Sequence, residues 1–265
     1  MMYSKKLALA VFITAVIFSV CLIGADKYED EKITQAIIGS GEEASEATES
    51  AHTEISDDMF MYPECLRILY QKNPEARAFV LSYPEEKDKI YSIDISEYEN
   101  SKTVPHFLQW DARWGFLSYG DEYISTAGCG PVCVSMVGYY LTGNADIFSP
   151  EKVAAFADNN GYFIKDVGTA WSLMDEGAEY MGLDAEILPL NEGLMAESIQ
   201  KGKPLILSMG PGAFTSTGHF IVVHGYENGR FLINDPNSVI RTQKSWSFSE
   251  FSDQVRNIWA YSFEE

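Results

Sequence analysis

The spacing of hydrophobic positions changes from helical to strand-like along the chain. Leu66, Leu69 and Tyr70 recur three and four residues apart after Tyr62-Pro63-Glu64, which predicts a helix that begins near a proline. Further helices are predicted after residue 73, from residue 129, and over 149–161, 169–181, 191–202 and 248–255. Strands are predicted over 204–209, 220–226, 231–234 and 257–263. Helices that come first and strands that come later favour an α+β fold with an antiparallel sheet.

The chain starts with a basic segment that runs into an uncharged apolar stretch. Lys5 and Lys6 precede residues 7–25, and Asp26 ends the stretch. This order is typical of an export signal, and an uncharged stretch of 19 residues also approaches the roughly 20 that span a bilayer as a helix. We therefore expect residues 1–25 to be a signal or an N-terminal membrane anchor. The rest of the protein would lie outside the cell, either as a single-pass membrane protein or in secreted form.

Two segments of different composition follow the apolar stretch. Residues 26–58 hold 11 acidic residues against Lys27 and Lys32, a composition that buries too little apolar surface to fold and predicts a flexible acidic stalk. Residues 59–103 contain the first predicted helices, which are too few to form a core alone. We expect them to be a helical N-terminal extension that packs on the domain at 104–265. A removable inhibitory propeptide is the alternative for this region.

Length, charge and cysteine content narrow the function classes. A chain of 265 residues with 46% hydrophobic residues holds one sizeable domain plus appendages. Its net charge of −20 argues against a nucleic-acid partner, because phosphate binding depends on clustered Lys and Arg. The four cysteines and four histidines lack the paired short spacings of a metal site, and no motif indicates a cofactor. Without Cys21, three cysteines remain, which predicts no structural disulfide and one thiol with a chemical role.

Cys129 is the thiol in the most suggestive context. Gly128-Cys129-Gly130-Pro131 opens an apolar helix, so its thiol would lie at the positive end of the helix dipole, which favours the thiolate. Backbone N–H groups at the same helix start could hold an oxyanion, and the two glycines would leave room for a substrate. Cys133 lies one turn further along and is expected in the core. The structural alternative for Cys129 is a small buried apolar residue.

His219 is the histidine best placed to act as a base for such a thiol. It follows Gly218 and begins the buried strand Phe220-Ile221-Val222-Val223, whereas His224 falls on the opposite face by strand alternation. Asp235 could orient the imidazole if it opposes Ile221 in the hairpin. That register predicts a three-residue turn, Glu227-Asn228-Gly229, with Tyr226 opposite Arg230. A plain turn residue is the alternative for Asp235.

Four sequence blocks resemble those of the bacteriocin-leader-processing cysteine peptidases, family C-thirty-nine, and in particular their stand-alone branch. The resemblance covers about residues 104–262. The blocks are Val104-Pro105-His106-Phe107-Leu108-Gln109-Trp110-Asp111, Ala127-Gly128-Cys129-Gly130-Pro131, Gly218-His219-Phe220-Ile221-Val222-Val223 and Ile233-Asn234-Asp235-Pro236. It implies a papain-like fold in which Cys129, His219 and Asp235 are catalytic and Gln109 completes the oxyanion hole. The double-glycine leader substrate of the transporter-linked members is not expected to carry over.

Three functions are compatible with these residues. The first is an extracytoplasmic thiol peptidase that acts on a peptide or protein substrate through a Cys-His-Asp triad and an acyl-enzyme. The second uses the same triad as an amidase or transpeptidase on cell-wall peptides. The third is a non-catalytic binding domain on a papain-like scaffold, against which the complete Cys, His and Asp set argues.

Overall fold

Antiparallel strand pairing organises the second half of the chain in the computed structural model, which describes residues 58–264. The strands are β1 (Ser118–Tyr119), β2 (Glu122–Tyr123), β3 (Phe163–Ile164), β4 (Gly168–Thr169), β5 (Asp184–Ile187), β6 (Leu205–Met209), β7 (His219–Glu227), β8 (Arg230–Asn234), β9 (Ser245–Trp246) and β10 (Val255–Ser262). The last six form one antiparallel sheet in the order β5-β10-β6-β7-β8-β9, while β1–β2 and β3–β4 are short hairpins.

Helices occupy most of the chain before the sheet. They are α1 (Glu64–Lys72), α2 (Arg77–Leu81), α3 (Tyr83–Glu86), α4 (Ile124–Ala127), α5 (Cys129–Thr142), α6 (Ala145–Phe148), α7 (Pro150–Asn159), α8 (Glu176–Tyr180), α9 (Glu192–Gln200) and α10 (Val239–Thr242). Helix α5 ends at Gly143, whose φ of 66° is the left-handed conformation common after a helix C-terminus. The helix-first, strand-later order confirms the predicted α+β class.

The two faces of β7 pack against two separate hydrophobic clusters. Phe220 and Val222 belong to the cluster that includes buried residues of α5 and α7. Ile221 and Val223 alternate with them and belong to a second cluster, which includes Met195 of α9. The sheet is therefore covered on both faces, which explains why the first five residues of β7 are all buried.

The helices before residue 104 pack on the domain that follows them. The side chains of Leu66, Leu69, Phe79 and Val80 form a cluster with Phe116. Phe79 stacks on Phe116 with 4.0 Å between ring centroids. Residues 62–265 form one compact unit, whereas Asp58–Met61 belong to the preceding unit.

Two predicted helices are wrong. Residues 169–181 divide into the end of β4, a 3-10 turn and α8, because Asp175 leaves helical geometry and its side chain caps Glu176 to start a new helix. Residues 248–255 form two 3-10 turns, Phe248–Glu250 and Ser252–Gln254, ahead of β10. Strand β5 was not predicted, since its exposed edge position lets it carry a polar sequence.

The predicted signal or anchor at 1–25 and nearly all of the predicted stalk at 26–58 lie outside the described residues. Within residues 58–264, no helix combines the length and apolar character needed to cross a membrane.

Candidate active site

Cys129 lies at the junction of two helical segments. It is the first residue of α5, and Gly128 alone separates it from α4, so the helix start is not the free end that the sequence pattern predicts. Cys129 is partly exposed. A Cβ atom on Gly130 would lie 2.7 Å from side-chain atoms of Thr169, so this glycine permits close packing of α5 against β4. Its small size thus serves packing, whereas the sequence suggested that it makes room for a substrate.

His219 and Asp235 form a buried hydrogen-bonded pair. The Nε2 atom of His219 lies 2.8 Å from Oδ1 of Asp235, and the two residues are 7% and 0% exposed. Burial alone would lower the pKa of His219, but the charge and hydrogen bond of Asp235, together with the neighbouring Cys129 thiol, raise it above its ordinary value. Since Nε2 faces Asp235, Nδ1 is the ring nitrogen left for the thiol.

The β7–β8 hairpin reaches this register by a different route from the one predicted. The three-residue turn is wrong: Glu227 pairs with Arg230, and Asn228 and Gly229 form a two-residue turn with φ values of 53° and 75°. The required extra residue is instead His224, at a β-bulge between Val223 and Gly225. Beyond the bulge Val222 pairs with Asn234, the last residue of β8, so the register agrees with the predicted one up to the residue before Asp235.

Asp235 is held by groups that the sequence analysis did not identify. Its Oδ1 accepts the backbone N–H of Asn237 at 2.8 Å, and its Oδ2 accepts Nε–H of Arg241. Its backbone oxygen lies 2.7 Å from Nε2 of His106. Burial would raise the pKa of Asp235, but His219 and then Arg241 outweigh burial and hold the pKa below its ordinary value. The carboxylate therefore stays ionised beside the imidazole.

Gln109 lies in the same cleft as Cys129 and is 2% exposed. Its Nε2 donates to the backbone oxygen of Ser125 at 2.6 Å, and its backbone N–H donates to the oxygen of Pro236 at 2.8 Å. The first bond determines the amide orientation, because only the NH2 group can donate to a carbonyl oxygen. An amide nitrogen has two hydrogens, and the bond to Ser125 uses one of them.

A cleft of about 630 Å³ brings the predicted site residues together, since Cys129, His219 and Gln109 all line it. A smaller depression of about 290 Å³ also includes Cys129 and His219. The two pockets therefore extend from the same pair of side chains, as a site for an extended peptide would require.

The other cysteines and histidines have different surroundings. Cys133 is fully buried, and burial raises the pKa of its thiol. Cys65 lines the larger cleft, and burial followed by the charge of Glu122 raises the pKa of its thiol. The described cysteines, residues 65, 129 and 133, are free thiols.

Burial and the neighbouring His106 lower the pKa of His224 to about 4, despite its hydrogen bond to Asn234. Across residues 58–264, no cluster of three His, Cys, Asp or Glu side chains could hold a metal ion.

A cysteine on a helix that faces a histidine and an aspartate on an antiparallel sheet is the arrangement of papain-like cysteine peptidases. The family model described as the Peptidase_C39 like family matches residues 101–263. The chain belongs to this family and is a cysteine-type peptidase.

Solved structures of related domains are similar to this chain at low identity. The peptidase domain of Streptococcus ComA, described as a bifunctional ABC transporter involved in a quorum-sensing pathway, is 20% identical. That match covers 52% of this chain and 93% of that domain, with a TM-score of 0.41. A putative C39-like peptidase from Bacillus anthracis is 17% identical over 61% of this chain and 96% of that chain, with a TM-score of 0.37. No curated protein sequence matches the chain.

Proposed function

We propose that this protein hydrolyses peptide bonds of an extracytoplasmic peptide or protein through Cys129, His219 and Asp235. The observation that carries the proposal is the buried His219–Asp235 pair, 2.8 Å apart, whose His219 lines the same cleft as Cys129. An ionised Asp235 holds the imidazole with Nε2–H toward itself and stabilises the imidazolium, so Nδ1 can exchange a proton with the thiol.

The reaction follows from these positions. Nδ1 of His219 takes the proton of the Cys129 thiol, and the thiolate attacks the peptide carbonyl carbon. The second N–H of the Gln109 amide and the backbone N–H of Cys129 hold the resulting oxyanion. His219 then gives its proton to the leaving amine as the C–N bond breaks, which leaves an acyl-enzyme. Water that loses a proton to His219 attacks the thioester and releases the acid and the free thiol.

Iodoacetamide labelling of the full chain at mildly acidic pH tests the nucleophile. Cys65 and Cys133 are internal controls, because the raised pKa values of both thiols leave little thiolate under these conditions. We expect Cys129 to label first, as determined by mass spectrometry of the digested protein. Reactivity of Cys129 no higher than that of the two controls would contradict the proposal.

Incubation of the active protein with a peptide library and with purified peptidoglycan then separates general peptidase action from wall-peptide amidase or transpeptidase action.

The proposed extracytoplasmic location rests on the N-terminal sequence. Lys5 and Lys6 followed by the apolar stretch 7–25 favour export, with retention at the membrane or cleavage and secretion. Protease treatment of intact cells should remove the domain if it is displayed outside, and protection from the protease would contradict this location.

A further inference from the structure

Two side chains of the N-terminal extension bind the loop that follows Asp235. Nδ2 of Asn73 donates to the backbone oxygen and the side-chain oxygen of Asn237, both at 2.8 Å. The Glu75 carboxylate accepts the Ser238 hydroxyl at 2.5 Å. These contacts join residues more than 160 positions apart, next to the catalytic aspartate.

Glu75 also caps helix α10. Its Oε2 accepts the backbone N–H groups of Val239 at 2.8 Å and Ile240 at 3.1 Å, which are the first two residues of that helix. The first N–H groups of a helix have no partner within it, and a helix of four residues gains little stability from its own bonds. A carboxylate at this end also complements the helix dipole. The extension therefore supplies bonds on which the geometry of α10 depends.

Helix α10 in turn holds Asp235. Its Arg241 donates to Oδ2 of Asp235, and the hydroxyl of its Thr242 accepts the backbone N–H of Asp235 at 2.9 Å. A continuous set of contacts thus runs from Glu75 through α10 and Arg241 to Asp235, and from Asp235 to His219.

The extension also forms a wall of the cleft without closing it. Leu69, Lys72 and Asn73 line the cleft of about 630 Å³ that Cys129 lines too. An inhibitory segment would cover the thiol, but Cys129 is partly exposed while the extension is in place. The extension up to residue 100 is also outside the family match, which begins at residue 101.

We infer that the N-terminal extension is a permanent part of the active site and that Glu75 is a positioning residue for Asp235 and His219. The inference rests on the proposed function of Cys129, His219 and Asp235. A permanent role in the active site excludes the alternative that this region is a removable propeptide.

Substitution of Glu75 in the full chain tests the positioning role. Glu75→Ala should lower kcat on fluorescently labelled casein by about tenfold to a hundredfold, since small displacements of a catalytic group have effects of this size. It should also move the alkaline limb of the pH–rate profile to lower pH, because a less firmly held Asp235 raises the pKa of His219 less. Glu75→Gln keeps the shape and one acceptor oxygen, so it should recover most of both properties. Glu85→Ala is the matched control, because Glu85 is exposed in α3 of the same extension.

The outcomes separate this inference from the proposed function. If Cys129 of the unmodified protein reacts no faster than Cys65 and Cys133, the proposed function fails. If it does react faster and Glu75→Ala leaves both kcat and the pH–rate profile unchanged, only the positioning role is overturned.

A cleavage experiment covers the case in which Glu75→Ala does not fold. A site for a specific protease inserted after Ile90, which is 99% exposed, allows the extension to be cut from the rest of the chain. We expect the cut extension to stay bound and the activity on labelled casein to be retained. Release of the extension with a rise in activity would show a propeptide and overturn the inference.

Discussion

The start and the bulge of strand β7 place two histidines in opposite electrostatic environments. His219 begins the strand and donates to the ionised Asp235, and its pKa is raised although it is almost fully buried. His224 lies at the bulge, where burial and His106 lower its pKa to about 4 and the neighbouring Asn234 offers no charge in return. Five residues apart on one strand, one imidazole is kept ready to hold a proton and the other is kept neutral.

The difference shows that the partner of a histidine, more than its burial, decides its protonation. Both rings pay a desolvation cost when they carry charge, which favours the neutral form. Only His219 has a carboxylate within hydrogen-bond distance, and that carboxylate is itself held ionised by Arg241. We therefore expect a chemical role for His219 at the start of the strand and a structural role for His224 at the bulge.

The comparison predicts very unequal effects when each histidine is replaced by glutamine. His219→Gln should lower kcat/KM on labelled casein by roughly a thousandfold or more, because the thiol then lacks its base and the leaving amine its acid. His224→Gln should leave activity close to that of the unmodified protein. Initial rates for both variants, with thermal unfolding as a check on folding, measure the contrast. Equal losses in the two variants would remove the basis for treating the two histidines of β7 differently.

Replacing Asp235 should bring the pKa of His219 closer to that of an ordinary histidine. Asp235→Asn keeps the shape of the side chain but removes the charge that raises the pKa of His219. We expect activity to fall by between about 10² and 10⁴. The alkaline limb of the pH–rate profile should also move to lower pH, because the imidazolium loses its proton earlier. A profile recorded from about pH 5 to 10 tests this, and an unmoved alkaline limb would show that Asp235 does not set the pKa of His219.

The smallest expected effect is that of His224 on the folding stability of the protein at acidic pH. The pKa of His224 is lowered from 6.5 to about 4, so the unfolded chain binds the proton more readily and stability is lost as the pH falls below about 6.5. At pH 5 this loss amounts to about 2 kcal/mol, and His224→Gln should remove it. Urea unfolding at neutral and acidic pH measures the difference.

His219→Gln is the control of opposite sign in that experiment. The raised pKa of His219 means that its contribution is fully present below about pH 6.5 and is lost as the pH rises through the folded-state pKa. Its replacement should therefore not protect the protein from acid. The same acid loss in His224→Gln as in the unmodified protein would contradict the assignment of a neutral, half-buried His224.

The local elements around the site were predictable where short-range signals are strong. Pro150 after Ser149 marks the start of α7, and Cys129 begins α5 as the pattern Gly128-Cys129-Gly130-Pro131 predicted. Asn228-Gly229 is a standard signal for a two-residue turn, and the structure follows it. The prediction of a three-residue turn was wrong because it placed the extra residue of the hairpin in the turn. In the structure that extra residue is His224, inside strand β7. Gly225 was the available signal for a bulge, since an isolated glycine inside a strand often marks one.

The contacts that complete the site were not predictable from spacing. Arg241 and His106 hold Asp235 only after α10 and residues 104–108 reach it from different parts of the chain. Glu75 is 160 residues before Asp235, and nothing in its local sequence distinguishes it from the other acidic residues of the extension. Such contacts depend on how elements pack, and a single sequence carries no direct record of that packing.

The amino-acid sequence alone determined the class of the fold, the helix that presents Cys129 and the strands that present His219 and Asp235. Hydrophobic periodicity and turn chemistry are local properties, so they can be read along the chain. The tertiary structure decided which partner each histidine meets, how the bulge at His224 aligns Asp235, and how the extension reaches α10. Protonation and positioning depend on charges and hydrogen bonds between distant residues, and these form only when the chain is folded.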